Sequence, residues 1–131
     1  LYFPSDSELI TLQTEASDNF WAGVLIAQYK EIVAYSSGKF NKTQIKYATY
    51  DKELLAIKLA LKSLKVYLLN RHFIIETDNK SVAQFLKKKT INNPEENLRR
   101  IRIAMYLEIF SYDVKYIPGY TNSVADFLTR Q

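Results

Sequence analysis

Residues 50–69 read YDKELLAIKLALKSLKVYLL. Leu54, Ile57, Leu61, Leu64 and Leu68 recur at three- and four-residue spacing, which puts them on one face of a helix. The stretch predicts an amphipathic helix from about Tyr50 to Leu69. Glu53 lies one turn before Ile57 and so borders the apolar stripe rather than the solvent face.

Upstream of this helix the period is different. ELITLQTE (8–15) alternates, with Ile10, Leu12 and Thr14 on one face, and predicts a strand. NFWAGVLIAQYK (19–30) is a longer apolar run with β-branched and aromatic residues, and EIVAYSSGKF (31–40) is a third strand. The joint at YKEI is short enough for a hairpin, so these segments predict an antiparallel meander. Downstream, RHFIIET (71–77) is a short apolar strand. A strand, a helix and a further strand in succession argue for a crossover with parallel pairing. KSVAQFLKKK (80–89) predicts a short helix that TINNP breaks. PEENLRRIRIAMYLEIF (94–110) predicts another, with Pro94 near its start. YDVKYIP (112–118) alternates as a last strand, and TNSVADFLTR (121–130) closes the chain as a helix capped by Asn122. The expected fold class is α/β, a mixed sheet flanked by helices.

A length of 131 residues favours one domain, and 47% hydrophobic with 24% charged residues leaves room for a sizeable core. No run of about 18 apolar residues occurs, so no membrane span and no membrane partner are expected. The N-terminus lacks the basic and apolar regions of a secretory signal and reads as if cut from a longer polyprotein. The absence of cysteine excludes disulfides and thiolate–zinc sites. A net charge of +4 permits an anionic partner such as nucleic acid without demanding one.

Of the 14 acidic residues, most fall on polar faces or in loops. Glu15 and Asp78 instead follow apolar strands, Glu53 borders the helical stripe, and Asp126 sits between Val124–Ala125 and Phe127–Leu128. Each has an ordinary reading by itself. Glu53 and Asp126 suit helix N-termini, Asp78–Asn79 suits a turn, and Glu15 could be a solvated strand end. As a set they suit a hard cation such as Mg²⁺, which takes oxygen ligands. Two such ions about 3.5–4 Å apart support phosphodiester hydrolysis.

The blocks TEASDNFWAGVL (14–25), YATYDKELLAI (47–57), FIIETDNKSVAQFL (73–86) and VKYIPGYTNSVADFLTR (114–130) cover nearly the whole chain in order. In these blocks the chain resembles the ribonuclease H domain of a reverse transcriptase, most of all those of plant pararetroviruses (the caulimovirus family), with gypsy-type retrotransposons as further relatives. The resemblance implies a ribonuclease-H-like fold, with a five-stranded mixed sheet whose first three strands are antiparallel. It implies a single domain over residues 1–131, excised from a reverse transcriptase polyprotein. The implied activity is cleavage of the RNA strand of RNA–DNA hybrids, with two Mg²⁺ ions, or Mn²⁺ in their place, held by Glu15, Glu53, Asp78 and Asp126. The implied partners are the hybrid and the polymerase domain of the same polyprotein. The implied location is the host cell cytoplasm, or viral particles within it. Ser17 and Asn79, next to two of the carboxylates, are the candidate substrate contacts, and both also suit turns.

Two departures from the family pattern stand out. The family normally has aspartate where this chain has Glu15, and the added methylene displaces the carboxylate. A misplacement of about 1 Å can cost about a hundredfold in rate. Glu15 is thus either a natural ligand on an adjusted backbone or an engineered weakening. Many relatives also carry a histidine before the last aspartate. Here the single histidine is His72, at a strand start, where it reads as a packing or edge residue. The TINNP connector leaves no room for the extra basic helix of some relatives. Lys87–Lys89 form a basic run that reads as a solvated helix end before it reads as a phosphate contact, and Arg99, Arg100 and Arg102 form a second basic run on the following helix. Trp21 reads as a core anchor. Tyr47, Tyr50, Tyr67, Tyr106, Tyr112 and Tyr116 read as packing residues with their hydroxyls at the boundary. Competing functions are a non-catalytic connector module of a reverse transcriptase, favoured only by Glu15, and a transposase or integrase core, which lacks the DKELLAI and ADFLTR blocks.

Overall fold

Alternation in the first strand decides how the sheet meets its helices. In β1 (Ile10–Ala16), Ile10, Leu12 and Thr14 are all buried. A hairpin leads to β2 (Phe20–Ala27), and a turn through Gln28–Lys30 leads to β3 (Ile32–Lys39). Lys30 takes the left-handed conformation in that turn (φ 75°). The computed structural model describes residues 2–88 and 97–119. Both hairpins are antiparallel, as the alternating segments predict.

The predicted long helix forms as α1 (Thr49–Ser63) and α2 (Lys65–Leu68), separated by a turn at Leu64. Leu54, Ile57, Leu61, Leu64 and Leu68 are all buried, so the stripe runs on through the break. Asn70, with φ 66°, then turns the chain, a left-handed position that asparagine tolerates. A short 3₁₀ turn, Gln44–Lys46, precedes α1. The backbone amide of Gln44 donates to Asn41 Oδ1 at 2.8 Å, and that of Asn41 to Gln44 Oε1 at 3.0 Å. This reciprocal cap lies in a segment that carries no apolar period.

The crossover through α1 and α2 delivers β4 (His72–Thr77) beside β1, parallel to it. α3 (Lys80–Lys88) and α4 (Leu98–Leu107) follow, and β5 (Ser111–Tyr116) adds in parallel to β4. The sheet order is β3-β2-β1-β4-β5, the expected five-stranded mixed sheet. α4 is shorter than its sequence pattern. Asn97 caps it by accepting from the Arg99 amide at 2.8 Å, and it stops at Leu107. The chain then turns so that Phe110 can set its ring against Phe73, edge-on at 6.1 Å between centroids. Pro94 and the predicted closing helix over 121–130 lie outside the described residues. No described helix is long and apolar enough to cross a membrane.

α1 lies tightly on the sheet because Gly23 of β2 has no side chain there. A Cβ at Gly23 would come within 2.6 Å of Ala60 Cβ. Trp21 is buried, as expected of a core anchor, with its indole against Gly38.

Candidate metal centre

Parallel neighbours end at the same edge of a sheet. Gln13 of β1 is in register with Glu76 of β4. Two residues further on, both strands reach carboxylates, Glu15 and Asp78. α1 starts at this same edge, and Glu53 is in its second turn. Oxygens of Glu15, Glu53 and Asp78 lie within 4.8 Å of one another. Glu15 and Asp78 are half-buried and Glu53 is buried. Three of the four sequence-predicted ligands are therefore together, while Asp126 lies outside the described residues.

Glu53 is pushed up from the usual carboxyl value of 4.5 to about 8. Burial is the main cause, followed by the charges of Glu15 and Asp78, and the Ala16 amide opposes them by hydrogen bonding to the Glu53 carboxylate. Burial and the two neighbouring carboxylates therefore favour the protonated form of Glu53 in the metal-free site. An all-oxygen donor set of this kind fits a hard divalent cation.

The Asp78 corner is held by backbone bonds. The Asn79 amide donates to Thr77 Oγ1 at 3.1 Å, and the Ile117 amide to the Thr77 carbonyl at 2.9 Å. Asn79 Oδ1 accepts from the Val82 amide at 3.0 Å and so caps α3. Ser17 closes the β1–β2 turn, with its hydroxyl oxygen accepting from the Phe20 amide at 3.2 Å. Ser17 and Asn79 thus both take the turn roles their residue types allow.

His72 sits at the opposite end of β4 from Asp78, bonded through Nδ1 to Ser111 Oγ at 2.7 Å and through Nε2 to Asp113 Oδ2 at 2.9 Å. It is exposed at the first residue of β4, a strand flanked on both sides by β1 and β5, rather than packed or on an edge strand. Arg99 and Arg100 are drawn into the fold. Arg99 stacks on Tyr47 with its guanidinium carbon 3.8 Å from the ring centroid, and Arg100 stacks on Tyr50 at 4.3 Å.

Two charged residues beside the site escaped the sequence reading. Asp51 and Lys52 are buried (6% and 8% exposed), in a run from Asp51 to Ile57 that is buried throughout. Asp51 accepts from Arg100 Nε at 2.8 Å, and Lys52 Nζ donates to the Asp18 carbonyl at 2.7 Å. The only local signal is the unbroken charge triplet before LLAI, because both partners are remote in sequence.

The chain belongs to the RNase H-like domains found in reverse transcriptase, whose family model matches residues 5–110. The enzymatic polyprotein of Carnation etched ring virus is 34% identical over 131 residues, covering 98% of this chain and 20% of the polyprotein. That of Figwort mosaic virus is 35% identical, covering 99% of this chain and 20% of the polyprotein. The chain thus spans about a fifth of these caulimovirus relatives. Among solved structures, RNase H1 of Halobacterium salinarum is similar with a TM-score of 0.65 and 18% identity, covering 91% of this chain and 92% of its own. LC11-RNase H1, solved in complex with an RNA/DNA hybrid, has a TM-score of 0.68 and 16% identity, with 93% of each chain covered. These structural likenesses carry the fold.

Proposed function

We propose that this chain is a ribonuclease H domain that cleaves the RNA strand of RNA–DNA hybrids during viral reverse transcription. The observation that carries the reading is the meeting of Glu15, Glu53 and Asp78, from three separate elements, at the edge where the parallel strands end. Asp126 is the proposed fourth ligand. Mg²⁺ is the proposed ion, two per site, with Mn²⁺ as a substitute. When bound, these ions supply Lewis-acid stabilisation of the charge that develops on the scissile phosphate.

The protein's own contribution is placement. Two strand ends and a helix turn fix the carboxylates before substrate arrives, so little reorganisation remains for the reaction. Ser17 and Asn79 flank the cluster and are the proposed contacts to the RNA strand. A hydroxyl and a carboxamide can each make more hydrogen bonds than the turn bonds they already hold. In this reading residues 1–131 are one domain of a longer polyprotein, and its polymerase domain presents the hybrid, in the host cytoplasm or inside viral particles.

The test compares the chain with its Glu15→Asp variant on a labelled hybrid in Mg²⁺ and in Mn²⁺. Cleavage by this chain within a few-fold of the variant makes Glu15 a working ligand. Cleavage by the variant alone makes Glu15 a brake. Cleavage by neither, with no metal binding, favours the second reading, a connector module with a weakened site, for which Glu15 is the supporting observation.

A further inference from the structure

Lysine is seldom buried, because its ammonium must keep hydrogen-bonding partners once it leaves water. Lys52 is buried at 8% exposure, one residue before Glu53. A leucine or methionine would fill the same space without that requirement. The position of the charge therefore calls for a reason, and its contacts supply one.

Nζ of Lys52 donates to the carbonyl of Asp18 at 2.7 Å and lies 5.9 Å from the ring centroid of Phe40. Asp18 is in the tight turn that follows Glu15 and Ala16. The other bonds of this turn come from the sheet. The Ser17 amide donates to the Phe20 carbonyl at 2.9 Å, and the Phe40 amide to the Asn19 carbonyl at 2.9 Å. Neither bond reaches α1.

Two links do join α1 to this stretch, and they run in opposite senses. Lys52 donates from the helix to Asp18, and the Ala16 amide donates from the strand end to the Glu53 carboxylate. Adjacent helical residues point in different directions, so the two links are separate restraints on the stretch. The segment between Ala16 and Asp18 is thereby held at a fixed distance from the second turn of α1. Glu15 is the residue just before it.

We propose that Lys52 is a positioning residue for the carboxylate site: through the Asp18 carbonyl, its ammonium holds the β1–β2 turn against α1 and so sets the separation of Glu15 from Glu53. The inference rests on reading the cluster as a metal site. Lys52 itself makes no contact with metal or substrate in this role.

The test measures Mn²⁺ binding by calorimetry on the 131-residue chain without nucleic acid, alongside the metal-free melting temperature. Lys52→Met keeps the stem and removes the ammonium, while Lys52→Arg keeps a cation that can reach a carbonyl. Lys52→Met is expected to bind Mn²⁺ about tenfold more weakly, the scale seen when an outer partner of a metal ligand is lost. Lys52→Arg is expected to recover most of that loss. Leu68→Ala, at the far end of the helical stripe, serves as a destabilised control and should bind Mn²⁺ as the unchanged chain does.

Equal Mn²⁺ affinity in folded Lys52→Met and the unchanged chain overturns the inference while leaving the metal site standing. An equal loss in Leu68→Ala also overturns it, by reducing the effect to general destabilisation. Absence of Mn²⁺ binding by the unchanged chain overturns the metal-site reading and this inference with it. Should Lys52→Met fail to fold, Lys52→Leu, which also lacks a donor, is titrated in its place with the same outcomes deciding.

Discussion

Arg100 of α4 forks onto Asp51 of α1, with Nε 2.8 Å from Oδ1 and Nη2 3.3 Å from Oδ2. The Asp51 side chain is 9% exposed and that of Arg100 30%, and Arg99 adds a longer contact at 3.9 Å. Pairs of this geometry are among the stronger ones. Removing one partner leaves the other desolvated and uncompensated. Asp51→Asn is therefore expected to destabilise the chain by about 2 kcal/mol, below the full buried-pair cost because Arg100 keeps some solvent. Urea unfolding measures it. The double variant Asp51→Asn/Arg100→Gln should lose less than the sum of the single losses, and strict additivity would show that the two residues do not act as a pair.

The raised pKa of Glu53 predicts an unusual pH dependence for the metal-free chain. Its folded value is about 8 against an ordinary 4.5, so the folded state binds the extra proton between those limits. This contribution to stability is complete below the unfolded value and is lost as pH rises toward 8. For this one group the slope approaches about 1.4 kcal/mol per pH unit within the window. With EDTA present, melting temperature should fall between these pH values. Saturating Mg²⁺ should flatten that decline and release a proton on binding, which calorimetry in buffers of different ionisation enthalpy detects. A melting temperature that rises through the window in EDTA would contradict this.

The parts of the fold with a regular period were legible from sequence. Ile10, Leu12 and Thr14 alternate, and the leucine stripe of α1 repeats every three or four residues, so strands, helix and crossover could be read. Patterning marked Glu15, Glu53 and Asp78 as candidates, because each interrupts or borders an apolar run, but their assignment as ligands together with Asp126 came from the resemblance to ribonuclease H domains. Boundaries were less legible. The turn at Leu64 and the stop of α4 at Leu107 depend on how Leu68 and Phe110 reach the core, which is a tertiary matter. Asp51 and Lys52 were illegible because their one local mark, the charge triplet before LLAI, does not say which charges are buried. Their partners, Arg100 and the Asp18 carbonyl, are 49 and 34 residues away, and the same three-charge run on an exposed helix start would look identical.

Gly23 sets how close α1 comes to the sheet. The nearest atom to an added methyl is Ala60 Cβ at 2.6 Å, and neither β2 nor α1 has a flexible side chain there to yield. Gly23→Ala should cost about 1–3 kcal/mol through overpacking. Adding Ala60→Gly should recover part of the loss, offset by the helix penalty of glycine, about 1 kcal/mol. Chemical denaturation of the three variants tests the pairing, and Gly23→Ala with unchanged stability would mean that α1 can lift from the sheet freely.

Asp78→Asn separates the role of the site from that of the fold. The side chain keeps its size and an acceptor oxygen, and the bonds of Thr77, Asn79 and Ile117 at this corner remain, so circular dichroism should be unchanged. Loss of one carboxylate should weaken Mn²⁺ binding and lower hybrid cleavage by more than about a hundredfold. The same change removes one of the two negative charges that push Glu53 upward, so the Glu53 pKa should move down. The metal-free chain should then lose less stability between pH 4.5 and about 8, as carboxyl titration by NMR and thermal melts can show together. A folded Asp78→Asn protein that cleaves at full rate would remove the metal-site reading. One that loses cleavage with the Glu53 titration unmoved would mean that the two carboxylates do not sense each other's charge.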